Sequence, residues 1–130
     1  MSRNKFTLPQ ERTVLYLGSS KKDIEGFPKE VQKEIALAIS LAKLGGKHQS
    51  AKPWKGLGSA VFEIVQDDGD AYRAIYTVEF KQAVYVLHAF QKKATEGRKT
   101  AERDVDLVKK RLQRARQDHR ERYGASKKKR

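Results

Sequence analysis

The chain has 130 residues and a formal net charge of +13, from 29 Lys+Arg against 16 Asp+Glu, which suits one compact domain attracted to polyanions such as nucleic acid. It has no cysteine, which excludes disulfide frameworks, zinc-thiolate sites and thiol nucleophiles. No apolar run nears the ~20 residues of a membrane span and no signal-peptide core opens the chain, so the expected setting is a reducing cytoplasm with no membrane partner.

Residues 1–11 are polar. Val14, Leu15, Tyr16 and Leu17 form a β-rich run within Arg12–Gly18 that predicts a short strand. Ser20 is placed to cap a brief helix through Ile24, which Gly26 and Pro28 interrupt. Pro28 suits the first turn of a second helix, where its missing N–H has no partner to lose. Val31, Ile35, Ala38, Ile39 and Ala42 then share one helical face, and Gly45-Gly46 stops it. Residues 47–58 read as a basic, glycine-punctuated loop holding the only Trp. Three strands follow, Ala60–Gln66, Ala71–Phe80 and Ala83–Phe90, joined at Asp68-Gly69, a pair suited to a type I′ turn, and at Lys81-Gln82. After a polar loop over Gln91–Lys99, a helix from about Thr100 carries Ala101, Val105, Val108, Leu112 and Ala115 on one stripe.

Beyond Gln117 the chain is almost wholly charged. Residues 91–130 hold 16 Lys+Arg and 6 Asp+Glu, so the first ninety carry only +3. The expected organisation is one small α+β domain over residues 1–117 and a basic tail over 118–130.

Two-residue turns at both sites would set Ile64 opposite Arg73, Phe62 opposite Ile75, Ile75 opposite His88 and Arg73 opposite Phe90. Arg73 and His88 are then diagonal neighbours on one sheet face. Tyr72, Tyr76, Val78, Tyr85 and Leu87 fall on the other. Lys92 and Lys93 follow at the same end as Arg73. Such a cluster suits metal-free RNA cleavage, which must activate a 2′-hydroxyl, stabilise a phosphorane and protonate a 5′-oxygen. Arg offers a planar fork to phosphate, Lys a point charge, and His a group that titrates near neutral pH.

Other readings stand beside these. Arg73 equally suits a strand arginine paired with Glu63 or Glu79, and His88 a packed sheet histidine. Lys52, Trp54 and Lys55 combine cations with a stacking surface for RNA, while Trp54 also suits a hydrophobic anchor for its loop. The C-terminal charges suit a polyphosphate-binding arm, or a solvated helix face with Asp106, Asp118 and Glu121 interleaved. No HxxxH or glycine-rich phosphate loop is present, so neither a metal nor a small-molecule cofactor is expected.

Several motifs recur in order: Phe27-Pro28 opening the long helix, Lys52-Pro53-Trp54-Lys55-Gly56-Leu57-Gly58, Phe62-Glu63-Ile64, Tyr72-Arg73-Ala74-Ile75-Tyr76, and Leu87-His88-Ala89-Phe90-Gln91-Lys92-Lys93. With them the stretch from Phe27 to Lys93 resembles the RelE/HigB superfamily of toxins from bacterial type II toxin–antitoxin systems, nearest its phage-derived, HigB-like branch. The resemblance implies a RelE-like fold: a small twisted antiparallel sheet, two N-terminal helices and, here, a basic C-terminal helix. It implies a ribosome-dependent mRNA endoribonuclease, or mRNA interferase, that inhibits translation. The implied partners are mRNA, the ribosome and a cognate antitoxin of helix-turn-helix type. Arg73 matches the Arg of the family's YRxxY strand, and Lys92-Lys93 its basic pair. Arg73 and Lys93 would then meet phosphate and transition-state charge, Lys55 and Lys92 would grip the backbone beside Lys52 and Trp54, and His88 would be an acid or base.

Two features depart from that pattern. Val65 stands where many relatives carry Arg, and the C-terminal aromatic or His has no clear counterpart, with His119 and Tyr123 lying in the charged extension. They favour the alternative of a non-catalytic protein: a ParE-like gyrase inhibitor, a small RNA- or ribosome-binding protein, or a prophage remnant that keeps only the fold.

Overall fold

The computed structural model describes residues 11–54, 56–58, 60–68, 70–92 and 98–124, without the side chains of 67, 68, 70 and 98–101. In chain order the elements are β1 (Thr13–Tyr16), α1 (Ser20–Glu25), α2 (Lys29–Lys43), β2 (Ala51–Pro53), β3 (Val61–Asp68), β4 (Asp70–Thr77), β5 (Ala83–Lys92) and α3 (Arg98–His119), which widens into a π-type turn over Arg120–Gly124. The sheet runs β1-β5-β4-β3-β2. β1 lies parallel to β5 and the remaining pairs are antiparallel. This is the α+β architecture expected, with one added strand: β2 forms inside the stretch expected to be loop, because its backbone pairs with β3 from Ala51 to Pro53. No helix among the described residues is long and apolar enough to cross a membrane.

One long helix packs on each sheet face, and α1 joins α2 on its side through Ile24. The 31, 35, 38, 39, 42 spacing turns one side of α2 inward, where those five residues are buried against Ile64, Ala74, Tyr76, Val84 and Val86. On the opposite face Val108, Leu112 and Ala115 of α3 pack on Val61, Ile75, Ala83, Tyr85 and Leu87. Three polar side chains spaced by seven flank that apolar stripe, since seven residues make nearly two helical turns. Asp104 Oδ1 lies 2.9 Å from His88 Nε2, Arg111 Nη1 donates to the Leu87 carbonyl at 2.9 Å, and the Tyr85 hydroxyl donates to Asp118 Oδ2 at 2.6 Å. The helix is thus tied along the length of β5.

The first hairpin differs from the expected register by one residue. Val65 pairs with Arg73, Ile64 with Ala74 and Phe62 with Tyr76. Asp68 pairs with Asp70, so a two-residue turn is not formed, and Gly69 itself lies outside the described residues. A one-residue shift exchanges the faces of a strand. The expected register would set Ile64 on the face of Arg73. The observed one sends Ile64 into the α2 core and brings Glu63 to Arg73's side.

The second pairing matches the expectation at Ile75↔His88 and Arg73↔Phe90, then shifts between Ile75 and Tyr76 so that Tyr76 meets Val86. Leu87 is the extra residue of a β-bulge, which turns two successive side chains to one face. Tyr85 and Leu87 therefore pack under α3, not with Tyr72, Tyr76 and Val78 on the α2 face as expected. β4 ends at Thr77, and residues 78–82 replace the expected two-residue turn. Gly18 (φ +55°) lets the Arg111 guanidinium pass on its way to Leu87, since a Cβ there would overlap it. Ser20 does not cap α1. It is the first residue of that helix, buried, and its hydroxyl donates to the Val86 carbonyl at 3.3 Å.

Candidate functional site

The observed registers place Lys52, Glu63, Ile75 and His88 in one cross-strand row, with Val65, Arg73 and Phe90 in the next and Ala71 with Lys92 beyond. Side chains alternate between faces along a strand, so these rows share the face that α3 covers at Ile75. Arg73 Nη1 donates to Glu63 Oε2 at 2.6 Å. Their side chains are 25% and 14% exposed, a site that solvent reaches but whose charges are partly desolvated. The ion-paired reading of Arg73 is therefore the one formed, through Glu63. Glu79 is taken by Arg116, which holds it through two bonds of 2.8 and 3.1 Å. A guanidinium has five N–H donors, and Arg73 Nε is enclosed without a partner among the described residues.

His88 is 6% exposed and its ring stacks on Phe90, with centroids 4.8 Å apart at 22°. Its Nε2 is held by Asp104, and its Nδ1 is buried with no hydrogen-bond partner among the described residues. Neither nitrogen meets solvent as packed, the arrangement of a core histidine. Lys52 and Lys92 are exposed. Trp54 is half-buried against the α3-side core, its Nε1 enclosed and unpartnered, so it anchors its loop. Lys55 and Lys93 lie outside the described residues. The structure thus brings Lys52, Arg73 and Lys92 to one face and adds Glu63 to them.

His119 and Tyr123 sit at the other end of β5. His119 stacks on Phe80 at 4.2 Å and its Nε2 lies 2.7 Å from Gln82 Oε1, and Tyr123 packs on the same core. Gln82 precedes β5 and Phe90 lies near its end, a separation of roughly 25 Å along the strand, so neither residue serves the Arg73 site. Asp104 escaped the sequence reading although it carried a signal: a carboxylate four residues before Val108, in phase with the buried stripe of α3. Among the described residues no three His, Asp or Glu side chains gather as metal ligands would.

The family model for phage-derived Gp49-like proteins matches residues 22–113. No curated protein matches the chain. Among solved structures, the toxin–antitoxin complex RelBE2 from Mycobacterium tuberculosis is similar at 17% identity and a TM-score of 0.41, over 63% of this chain and 99% of that one.

Proposed function

Because the chain belongs to the phage-derived Gp49-like family, a RelE-like toxin family, we propose that it is the toxin of a toxin–antitoxin pair and a ribosome-dependent mRNA endoribonuclease. The carrying observation is Arg73, a partly desolvated guanidinium in contact with a carboxylate on a sheet face bordered by exposed Lys52 and Lys92. Lys52, Lys55 and Lys92 grip flanking phosphates, and the anchored Trp54 holds the end of β2 that carries Lys52. Arg73 turns its fork from Glu63 to the scissile phosphate, where a low-dielectric setting strengthens it. Glu63 then takes the 2′-hydroxyl proton, the 2′-oxygen bonds to phosphorus, and the bond to the 5′-oxygen breaks. Arg73 and Lys93 stabilise the phosphorane charge. His88 returns a proton to the 5′-oxygen once Nδ1 is uncovered, leaving a 2′,3′-cyclic phosphate. The chemistry uses no cofactor. The antitoxin is a helix-turn-helix protein encoded beside this chain.

Purified wild-type protein added to translating ribosomes should cut mRNA within A-site codons, and Arg73→Ala should abolish the cuts. Intact mRNA with folded, antitoxin-free protein contradicts the reading. A non-catalytic toxin or binder is favoured by one observation: Val65 is paired with Arg73, so an apolar side chain stands where a second cation would. Under that reading Arg73→Ala leaves toxicity unchanged. A gyrase inhibitor would block supercoiling, whereas an RNA binder would lose affinity and salt dependence when residues 125–130 are removed.

A further inference from the structure

The sheet face opposite Arg73 carries a cleft that the nuclease chemistry does not use. It is a cavity of about 270 Å³ lined by Arg12, Gly45, Gly46, Lys47, Phe62 and Tyr76, with Val78 beside them. Tyr76 is 1% exposed and its hydroxyl is buried with no hydrogen-bond partner among the described residues. A buried hydroxyl without a partner costs stability, so its persistence at the wall of a cavity points to a ligand atom. Burial pushes the phenol up to about 12, which keeps it a donor at any physiological pH.

The other polar groups are also donors. Arg12 spends one weak bond of 3.5 Å on the Val78 carbonyl, and Lys47 stands over the Phe62 ring at 5.2 Å. Neither makes an ion pair among the described residues. Three donors, two of them cationic, against the apolar walls of Phe62 and Val78 define a site for a single anionic group.

Two leucines of the α2 region are exposed, Leu44 at 51% and, seven residues before it, Leu37 at 48%. Leu44 joins the neighbouring cavity that shares Arg12 and Gly45 and that Glu11, Thr13, Lys81 and Gln82 also line. Leucines beside an anion site fit a peptide, which buries apolar side chains, better than a nucleic-acid backbone, which has none to offer. Arg12 and Lys47, two cations without an acidic partner among the described residues, call for one from outside.

We propose that this cleft receives a Glu or Asp side chain from an acidic, leucine-contacting segment of the antitoxin. The inference rests on the antitoxin half of the proposed function and is independent of the nuclease half. The carboxylate would accept from the Tyr76 hydroxyl and pair with Arg12 and Lys47, while neighbouring apolar residues of the segment cover Leu44 and Leu37.

Calorimetric titration of the full chain with the purified product of the adjacent open reading frame tests it. Tyr76→Phe keeps the ring and should weaken binding about tenfold, the worth of one hydrogen bond to a charged acceptor. Its thermal stability should be equal or higher, because an unpaired hydroxyl is lost. Lys47→Gln should weaken binding about fivefold, whereas Arg73→Ala should leave it unchanged. N-acetylglutamate, as a bare carboxylate probe, should shift the amide resonances of Gly45, Gly46 and Lys47 in the wild type and not in Tyr76→Phe. Unchanged affinity in both cleft variants overturns the inference and leaves only a hydration site at Tyr76. A cleft that binds RNA and not the antitoxin overturns it in favour of phosphate. No antitoxin binding by the wild type removes the toxin–antitoxin reading itself, and A-site cleavage is scored separately.

Discussion

Tyr85→Phe tests the docking of α3 with a single atom. Tyr85 is fully buried, and its hydroxyl donates to Asp118 at 2.6 Å. A hydrogen bond to a charged acceptor contributes about 1.5–3 kcal/mol. Asp118 keeps a side-chain exposure of 29% and a second partner in Arg122 at 2.7 Å, so water and Arg122 satisfy it after the change. The expected loss is therefore at the low end, about 1.5 kcal/mol, or roughly tenfold in the folding equilibrium. For a chain of this size that lowers Tm by about 3–6 °C. The loss has a pH signature. The Tyr85 hydroxyl is the largest cause holding the Asp118 carboxyl below its usual range. A depressed carboxyl adds its stability in full above the unfolded value of about 3.9 and loses it as pH falls through the folded value. Urea unfolding at pH 7 should show the whole difference between wild type and variant, and unfolding near pH 3 a smaller one. A difference under about 0.3 kcal/mol at pH 7, or one that does not narrow in acid, refutes the tie between β5 and α3.

Gly18→Ala should cost roughly 3 kcal/mol, since it forces a side chain into the left-handed region and displaces Arg111 from the Leu87 carbonyl. Arg111→Ala should cost less and should make Gly18→Ala milder in the double variant, as denaturation of all three would show. Lys52→Gln and Lys92→Gln should each weaken binding to single-stranded RNA and lower the log–log salt slope by about 0.7, while stability stays within about 0.5 kcal/mol. Glu63→Gln should leave RNA binding intact or stronger and slow cleavage, a split read by comparing affinity with single-turnover rate.

The order of the elements other than β2 was legible because α2 and α3 each had an apolar face, because glycines ended α1 and α2, and because turn residues separated β-rich runs. The pairing of β4 with β5 around Arg73 agrees with a two-residue turn that does not form, because the extra residue at Leu87 offsets the longer connection over residues 78–82. The first hairpin was not legible, because Asp68-Gly69 is compatible with either register and the choice falls to Ile64, which needs the α2 core. That one residue carried Glu63 to Arg73 and so decided the character of the site. The bulge at Leu87 was silent in the sequence, since both Leu87 and Val86 are apolar and either could face α2. β2 was hidden by its basic composition, for an edge strand exposes Lys52 and Pro53 to solvent. Asp118 read as surface charge and Asp104 and Arg111 drew no reading, although their spacing of seven placed all three beside the buried stripe.

The central claim is that Arg73 works on an RNA phosphate and not only on Glu63. Cleavage of mRNA by translating ribosomes, mapped to the nucleotide for wild type and for Arg73→Ala of equal stability, tests it most directly. Cuts within A-site codons ending in 2′,3′-cyclic phosphate are expected for the wild type and none for the variant. Equal cleavage by both proteins, or none by a folded and antitoxin-free wild type, contradicts it.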